Sequence, residues 1–149
     1  MASPSAEEAQ LSLKKSKILL VDDDLVVVKA LTLKLEANGY DVISATDGAT
    51  AVGLVRHEAP DLVILDINFP PDVGMSWDGF KIMEWFQGRV GGGRIPVIII
   101  TGEESEKNRE RAAAAGAASF YQKPIDMNEL LSDIREILAA APRNAPADK

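Results

Sequence analysis

Five short apolar segments alternate with helical patterns along this chain, and that alternation constrains the fold more than any other feature. Each apolar segment is followed by residues with apolar side chains at helical spacing. Strands separated by helices run parallel, because each crossover must pack back onto the sheet. The strand candidates are Lys17 to Val21, Asp41 to Ala45, Leu62 to Leu65, Ile95 to Ile100 and Ala117 to Tyr121.

The polarity of these segments predicts the order of the strands. The first, third and fourth are continuously apolar, as strands buried on both faces are. The second and fifth carry Asp41, Ser44, Ser119 and Gln122 in or beside them, which suits the edges of a sheet. The sequence therefore predicts a flavodoxin-like, doubly wound (βα)5 three-layer sandwich with strand order 2-1-3-4-5. Such sheets bind ligands at the carboxyl ends of strands one and three.

Length and composition favour one domain with two short tails. We expect the domain to span residues 17–141 of the 149, with tails at 1–16 and 142–149. The chain has no cysteine, no apolar run near the ~20 residues that cross a bilayer, and no signal-peptide pattern. These features predict a cytoplasmic protein without membrane insertion. The net charge of −7 argues against nucleic-acid binding by this domain.

Carboxylates stand where the predicted first and third strands end. The first strand leads into Asp22, Asp23 and Asp24, and the third ends at Asp66. Carboxylates brought together at one crevice repel each other, and a hard divalent cation relieves this repulsion. We therefore predict a Mg²⁺ site, with Mn²⁺ as the alternative ion. Asp24 also has a simpler interpretation, as the cap of the first helix.

Two further polar residues follow the fourth and fifth strands. Thr101 can donate a hydrogen bond to a phosphoryl oxygen, and Lys123 supplies a compact positive charge. Either one alone has an ordinary interpretation, as a helix cap or an exposed loop residue. Together with the aspartates, they predict a site for phosphate and a divalent cation.

In combination, these segments resemble the receiver domains of two-component response regulators. The resemblance extends from about Lys17 to Leu138. It depends on the following segments: Ile18 to Asp24, Leu62 to Asp66 with Pro70, Ile98 to Gly102, and Lys123-Pro124.

The resemblance implies a role for each matching residue in the acidic crevice. Asp66 would be the phosphoacceptor, forming an acyl phosphate. Asp23 and Asp66 would bind Mg²⁺ directly, Asp22 would act mainly through water, and Asn68 would contribute its backbone carbonyl. Lys123 would balance the charge of the aspartate and then of the phosphate.

The resemblance also implies a switch and a means of setting the lifetime of the phosphate. Thr101 would move to hold a phosphoryl oxygen, and Phe120 would be the aromatic residue that turns inward in response. Asn68 and Glu103 stand at the positions that tune hydrolysis, and their polarity predicts fairly fast self-dephosphorylation. The fourth helix, fifth strand and fifth helix would carry the conformational output.

The implied partner is a histidine kinase or a phosphotransfer protein, and a homodimer through the output face is a further expectation. The domain would catalyse only its own phosphorylation and dephosphorylation. Two other hypotheses stay open at this point: a Mg²⁺-dependent phosphohydrolase with an aspartyl nucleophile, and a binding module that acts without phosphorylation. Against the hydrolase, Asn68 stands where one such family has a second aspartate.

One segment departs from the family pattern. The loop from Asp66 to Asp78-Gly79 is about five residues longer than usual, with the extra length in residues 69–77. A neutral surface insertion is the simpler interpretation. The alternative is that Met75 and Trp77 cover the rim of the site and select the phosphodonor.

Overall fold

A computed structural model describes residues 15–67, 82–84, 95–102 and 106–140. Five strands form a single parallel sheet. They are β1 (Lys17–Val21), β2 (Asp41–Ala45), β3 (Leu62–Asp66), β4 (Val97–Thr101) and β5 (Ser119–Gln122). The strand order is β2-β1-β3-β4-β5, as predicted.

Helices separate the strands along the chain. They are α1 (Leu25–Ala37), α2 (Gly48–Glu58), α3 (the helical residues 82–84), α4 (Glu106–Ala114) and α5 (Met127–Ala140). Asp24 is the N-cap of α1, and Asp47 is the N-cap of α2; their carboxylates accept backbone N–H bonds in the first turn. Gly39 follows the end of α1 with a φ of 95°, the left-handed backbone that glycine favours after the last turn of a helix.

Two apolar layers cover the two faces of the sheet. One layer packs β1, β3 and β4 side chains against α2, α3 and α4, and it includes Val21, Leu65 and Ile99. The other packs the alternate side chains of the same strands against α1 and α5. Because the three central strands are covered on both sides, their residues are almost completely buried. This is the flavodoxin-like three-layer arrangement.

The strands β3, β4 and β5 each end one residue later than predicted, and β4 and β5 also begin later, each for a local reason. We predicted that the fourth strand begins at Ile95, but β4 begins at Val97 because Pro96 has no N–H to donate to a ladder. We predicted that the fifth strand begins at Ala117, but the Ala117 N–H bonds to the Ala112 carbonyl in the last turn of α4. That bond belongs to the helix end, so β5 begins at Ser119.

The solvent-facing side of α1 is unusually apolar. The exposed fractions of Leu25, Val26 and Leu33 are 69%, 77% and 62%. The helical spacing in this segment runs through Leu25, Val28, Leu31 and Leu35, yet only the last two are buried. Leu25 is the first residue after the cap, where the helix has just begun. In the described part of the chain, no helix has the length and apolarity needed to span a membrane.

Candidate functional site

The carboxyl ends of β1 and β3 bring three aspartates together. Asp66 is the last residue of β3, and Asp22 follows β1 directly; each side chain is buried. Asp23 is exposed at the mouth of the crevice. One carboxylate oxygen from each of the three lies within 4.8 Å of the others. The fold therefore gathers the acidic residues that the sequence placed at these strand ends.

The Lys123 ammonium lies between the two buried carboxylates. Its Nζ is 3.1 Å from Oδ2 of Asp66, to which it donates a hydrogen bond, and 3.0 Å from Oδ2 of Asp22. The backbone N–H of Lys123 donates to the carbonyl of Thr101 at 2.8 Å, so the lysine is fixed to the end of β4. The Lys123-Pro124 peptide bond is cis.

Burial and charge act against each other on the ionisation of these groups. Burial raises the pKa of Asp22, and the neighbouring Asp66 raises it further, whereas the Asp24 N–H and Lys123 oppose the shift. Burial alone would lower the pKa of Lys123, but its contacts with Asp22 and Asp66 outweigh burial and hold that pKa above its usual value. Lys123 is therefore a fixed cation.

The aspartates fit a divalent cation. Asp22 Oδ1 accepts the Asp24 N–H at 2.9 Å. Asp22 Oδ2 is buried and accepts no hydrogen bond, since its contact with the Lys123 ammonium lacks hydrogen-bond geometry. The Lys123 ammonium, 3.0 Å away, offsets part of the cost of burying this acceptor, and a divalent ion would offset more. With Asp23 and Asp66, Asp22 forms an all-oxygen donor set that suits Mg²⁺ or Mn²⁺.

Thr101 completes the group at the neighbouring strand end. It is the last residue of β4 rather than the first residue after it, and its side chain is fully buried. Asp66 pairs with Ile100 across the β3–β4 ladder, so Thr101 lies next to the phosphoacceptor candidate. A hydroxyl, an ammonium and a carboxylate thus stand at three adjacent strand ends.

Several of the predicted residues lie outside this group. Phe120 lies on β5, half-buried against the layer that contains Ile99, away from the aspartates. Asp24 caps α1, as its simpler interpretation proposed. Asn68 and Glu103 lie outside the described residues, as does the inserted loop 69–77.

Sequence reasoning missed a contact beside Phe120. The Arg109 guanidinium of α4 lies over the Phe120 ring, with Cζ 4.6 Å from the ring centroid. It also missed Tyr121 and Asp133, which join β5 to α5 by a hydrogen bond. No sequence pattern marks either pair, because each contact joins a helix to a strand and depends on how the two pack.

Comparison with known proteins places the chain among signalling proteins. Residues 18–135 match the family model described as "Response regulator receiver domain". The Response regulator MprA of Mycobacterium leprae is 35% identical over 122 residues, which are 82% of this chain and 50% of that protein. The MprA of Mycobacterium tuberculosis is 33% identical over 132 residues, 89% of this chain and 53% of that protein. The chain thus spans about half the length of these curated relatives.

Solved structures agree with these sequence relatives. A CheY-like response regulator receiver domain protein from Methanospirillum hungatei superposes with a TM-score of 0.74 at 28% identity, covering 85% of this chain and 95% of that one. The BeF3-activated N-terminal receiver domain of Klebsiella pneumoniae RstA gives 0.73 at 28% identity, covering 83% and 98%. Both cover nearly the whole of the solved domain, so the similarity extends to the complete fold.

Proposed function

This chain belongs to the response regulator receiver domain family, and on that basis we propose that Asp66 accepts a phosphoryl group. As a member of this family, the chain is a receiver domain of two-component signalling. The donor in our proposal is a phosphohistidine on a histidine kinase or phosphotransfer protein in the cytoplasm. Residues 17–141 form the receiver in this proposal, and 1–16 and 142–149 are tails.

One observation carries the proposal. Asp66 is a buried carboxylate that accepts a hydrogen bond from a fixed ammonium, and Asp22 and Asp23 stand beside it. A carboxylate held this way has one oxygen near a counter-charge and belongs to an acidic set that suits a metal. A nucleophile for phosphoryl transfer needs this positioning and neutralisation more than it needs covalent machinery.

In the transfer, one bond to phosphorus forms and one breaks. A carboxylate oxygen of Asp66 attacks the phosphorus, an O–P bond forms, and the P–N bond to the donor histidine breaks. The histidine ring, protonated on its other nitrogen, keeps the electron pair of that bond and leaves as neutral imidazole. Lys123 stays positively charged throughout and offsets the charge that gathers on the phosphoryl oxygens.

Asp22, Asp23 and Asp66 would hold the divalent ion, with the Asn68 carbonyl proposed as a further ligand. Mg²⁺ or Mn²⁺ bound there supplies positive charge to the phosphoryl oxygens. Asp23 is the solvent-exposed member of the set, so it is the ligand that incoming ions meet first. The buried Asp22 carboxylate is held in place because its Oδ1 accepts a hydrogen bond from the Asp24 N–H.

The response in our proposal begins at Thr101. Its hydroxyl follows the phosphoryl group, Phe120 turns with it, and the α4–β5–α5 face changes between two pre-existing states. This face is also where we propose a homodimer, which light scattering with and without phosphorylation tests. Fairly fast self-dephosphorylation, set by Asn68 and Glu103, remains part of the proposal. A phosphoprotein stable for many hours would contradict that part.

The test uses the full chain with acetyl phosphate and Mg²⁺, read out by intact mass. We expect one phosphate on the wild type, none after EDTA, and none on Asp66→Asn. The matched control is Asp41→Asn, an exposed aspartate at the amino end of β2, which should be labelled like the wild type. Continuous release of inorganic phosphate from many esters would instead favour a hydrolase. The absence of any adduct would favour a binding module.

A further inference from the structure

The Arg109 side chain covers the aromatic ring of Phe120. Arg109 lies on the exposed side of α4, and its Cζ is 4.6 Å from the centroid of the ring. Phe120 is half-buried in β5, so one side of the ring packs on the core and another would face water without the guanidinium. A guanidinium within about 6 Å of a ring centroid is attracted to the face of the ring.

The register of β4 and β5 ties this ring to the phosphorylation site. Ile99 pairs with Phe120, and both side chains pack in the same apolar layer. Residues two apart on a strand share a face, so Thr101 projects on the same face as Ile99, one step closer to the aspartates. A ring that turns toward Thr101 leaves the guanidinium of Arg109.

In the proposed switch, the contact would therefore exist in only one of the two positions of the ring. An interaction made in one state and lost in the other shifts the equilibrium between them by its own free energy. We propose that Arg109 is a positioning residue that holds Phe120 against α4 and thereby opposes the switch. This inference rests on the proposed function, because the switch is driven by a phosphoryl group on Asp66.

The same pair forms part of a groove that also carries several carboxylates. Arg109 and Phe120 line a groove of about 430 Å³ along β5 and α5. Its other lining residues include the carboxylates of Asp126, Glu129 and Asp133. When the ring turns, the Arg109 guanidinium loses its contact with the Phe120 ring next to these carboxylates. The state of the switch is thus coupled to the shape and charge of the groove.

The first experiment measures the affinity of the full chain for Mg²⁺ and beryllofluoride, which mimics the phosphoryl group on an aspartate. Ring position and beryllofluoride binding are linked equilibria, so Arg109→Gln should tighten beryllofluoride binding about two- to fivefold. This factor corresponds to the free energy of an exposed cation–π contact. Lys107→Gln is the matched control, because it removes the same charge from the same helix at an exposed position. It should leave the affinity unchanged.

A second measurement follows the ring itself. Fluorophenylalanine labelling gives a ¹⁹F signal for Phe120, assigned by its loss in Phe120→Leu. Arg109→Gln should raise the population of the second ring position before beryllofluoride is added, and Arg109→Lys should restore part of the difference. In the Phe120→Leu background, Arg109→Gln should no longer change the affinity.

The outcomes separate the two proposals. A wild type that binds no beryllofluoride would overturn the proposed function, and this inference with it. If the wild type binds, then an Arg109→Gln affinity equal to or weaker than the wild type would overturn the inference alone. An effect matched by Lys107→Gln, or one that persists without the ring, would do the same.

Discussion

The ammonium nitrogen of Lys123 lies 3.1 Å from Oδ2 of Asp66, although the two residues are 57 positions apart in the sequence. Lys123 follows β5 and Asp66 ends β3, and β4 lies between these two strands. The lysine therefore reaches across a strand to meet the carboxylate. It occupies a position where it neutralises the same charge that a divalent ion would neutralise.

Removing this ammonium should strengthen metal binding. In Lys123→Met the aspartates lose the ammonium that contacts Asp22 and Asp66, so the affinity for Mg²⁺ should rise by about tenfold at low ionic strength. Calorimetric titration of the variant and the wild type measures the change. Lys17→Met is the control, because Lys17 pairs with Glu58 at the opposite end of β1. Unchanged or weaker binding by Lys123→Met would contradict the competition between ammonium and metal.

Tyr121 should stabilise the fold through its hydroxyl. The phenol donates to the Asp133 carboxylate, which also accepts from the Ser119 hydroxyl at 3.0 Å. Tyr121→Phe should lower the free energy of unfolding by about 1.5–3 kcal/mol, the usual range for a hydrogen bond to a charged group. Urea unfolding measures this. Tyr40→Phe is the control, because the described residues offer the Tyr40 hydroxyl no partner, and its effect should be small.

The same phenol predicts a dependence on alkaline pH. Burial raises the pKa of Tyr121 above the ordinary 10.0, and the hydrogen bond to Asp133 raises it further. A group whose pKa is higher in the folded state contributes its full stability below the unfolded pKa. The difference between wild type and Tyr121→Phe should therefore hold from neutral pH to about 10 and shrink above it. A difference that grows above pH 10 would refute this assignment.

The fold and the centre of the site were predictable because both depend on short-range pattern. Continuous apolar segments identify the central strands, and polar residues at the strand ends become neighbours once the strands are parallel. Asp22, Asp66, Thr101 and Lys123 were found in this way. The β4 boundary was misplaced because apolarity continues through Ile95, whereas Pro96 has no N–H to donate to a neighbouring strand.

Contacts between a helix and a strand were not predictable. Arg109 and Phe120 are eleven residues apart, and nothing in that spacing indicates which side of α4 faces β5. The same holds for Tyr121 and Asp133. The exposure of Leu25 was missed for a related reason, since periodicity gives the apolar face of a helix but not where its packing begins.

Two glycines should respond in opposite ways to the same substitution. Gly39 has a φ of 95°, so Gly39→Ala should cost about 1–2 kcal/mol. Gly53 lies inside α2, and an added Cβ would meet nothing within 4 Å. Gly53→Ala should therefore stabilise the fold by about 0.5–1 kcal/mol. Chemical denaturation compares both variants with the wild type. Equal shifts in the same direction would contradict the two backbone assignments.

The apolar surface of α1 should serve the phosphodonor. Val26 and Leu33 are exposed on a helix that begins directly after the acidic residues, so in the proposed transfer a protein that delivers phosphohistidine to Asp66 would contact them. Val26→Ser combined with Leu33→Ser should slow transfer from a histidine kinase by about tenfold, the effect of losing well-placed apolar contacts. The fastest donor among purified, autophosphorylated kinases of the same organism provides the assay.

Acetyl phosphate is the internal control for this double variant. It is too small to touch α1, so its labelling rate should match that of the wild type. Exposed positions contribute little to the stability of the fold. The free energy of unfolding, measured with urea, should therefore change by less than about 0.5 kcal/mol per site. Equal slowing with acetyl phosphate would mean that the substitutions disturb the aspartates. Unchanged transfer from the kinase would mean that the donor approaches from another side.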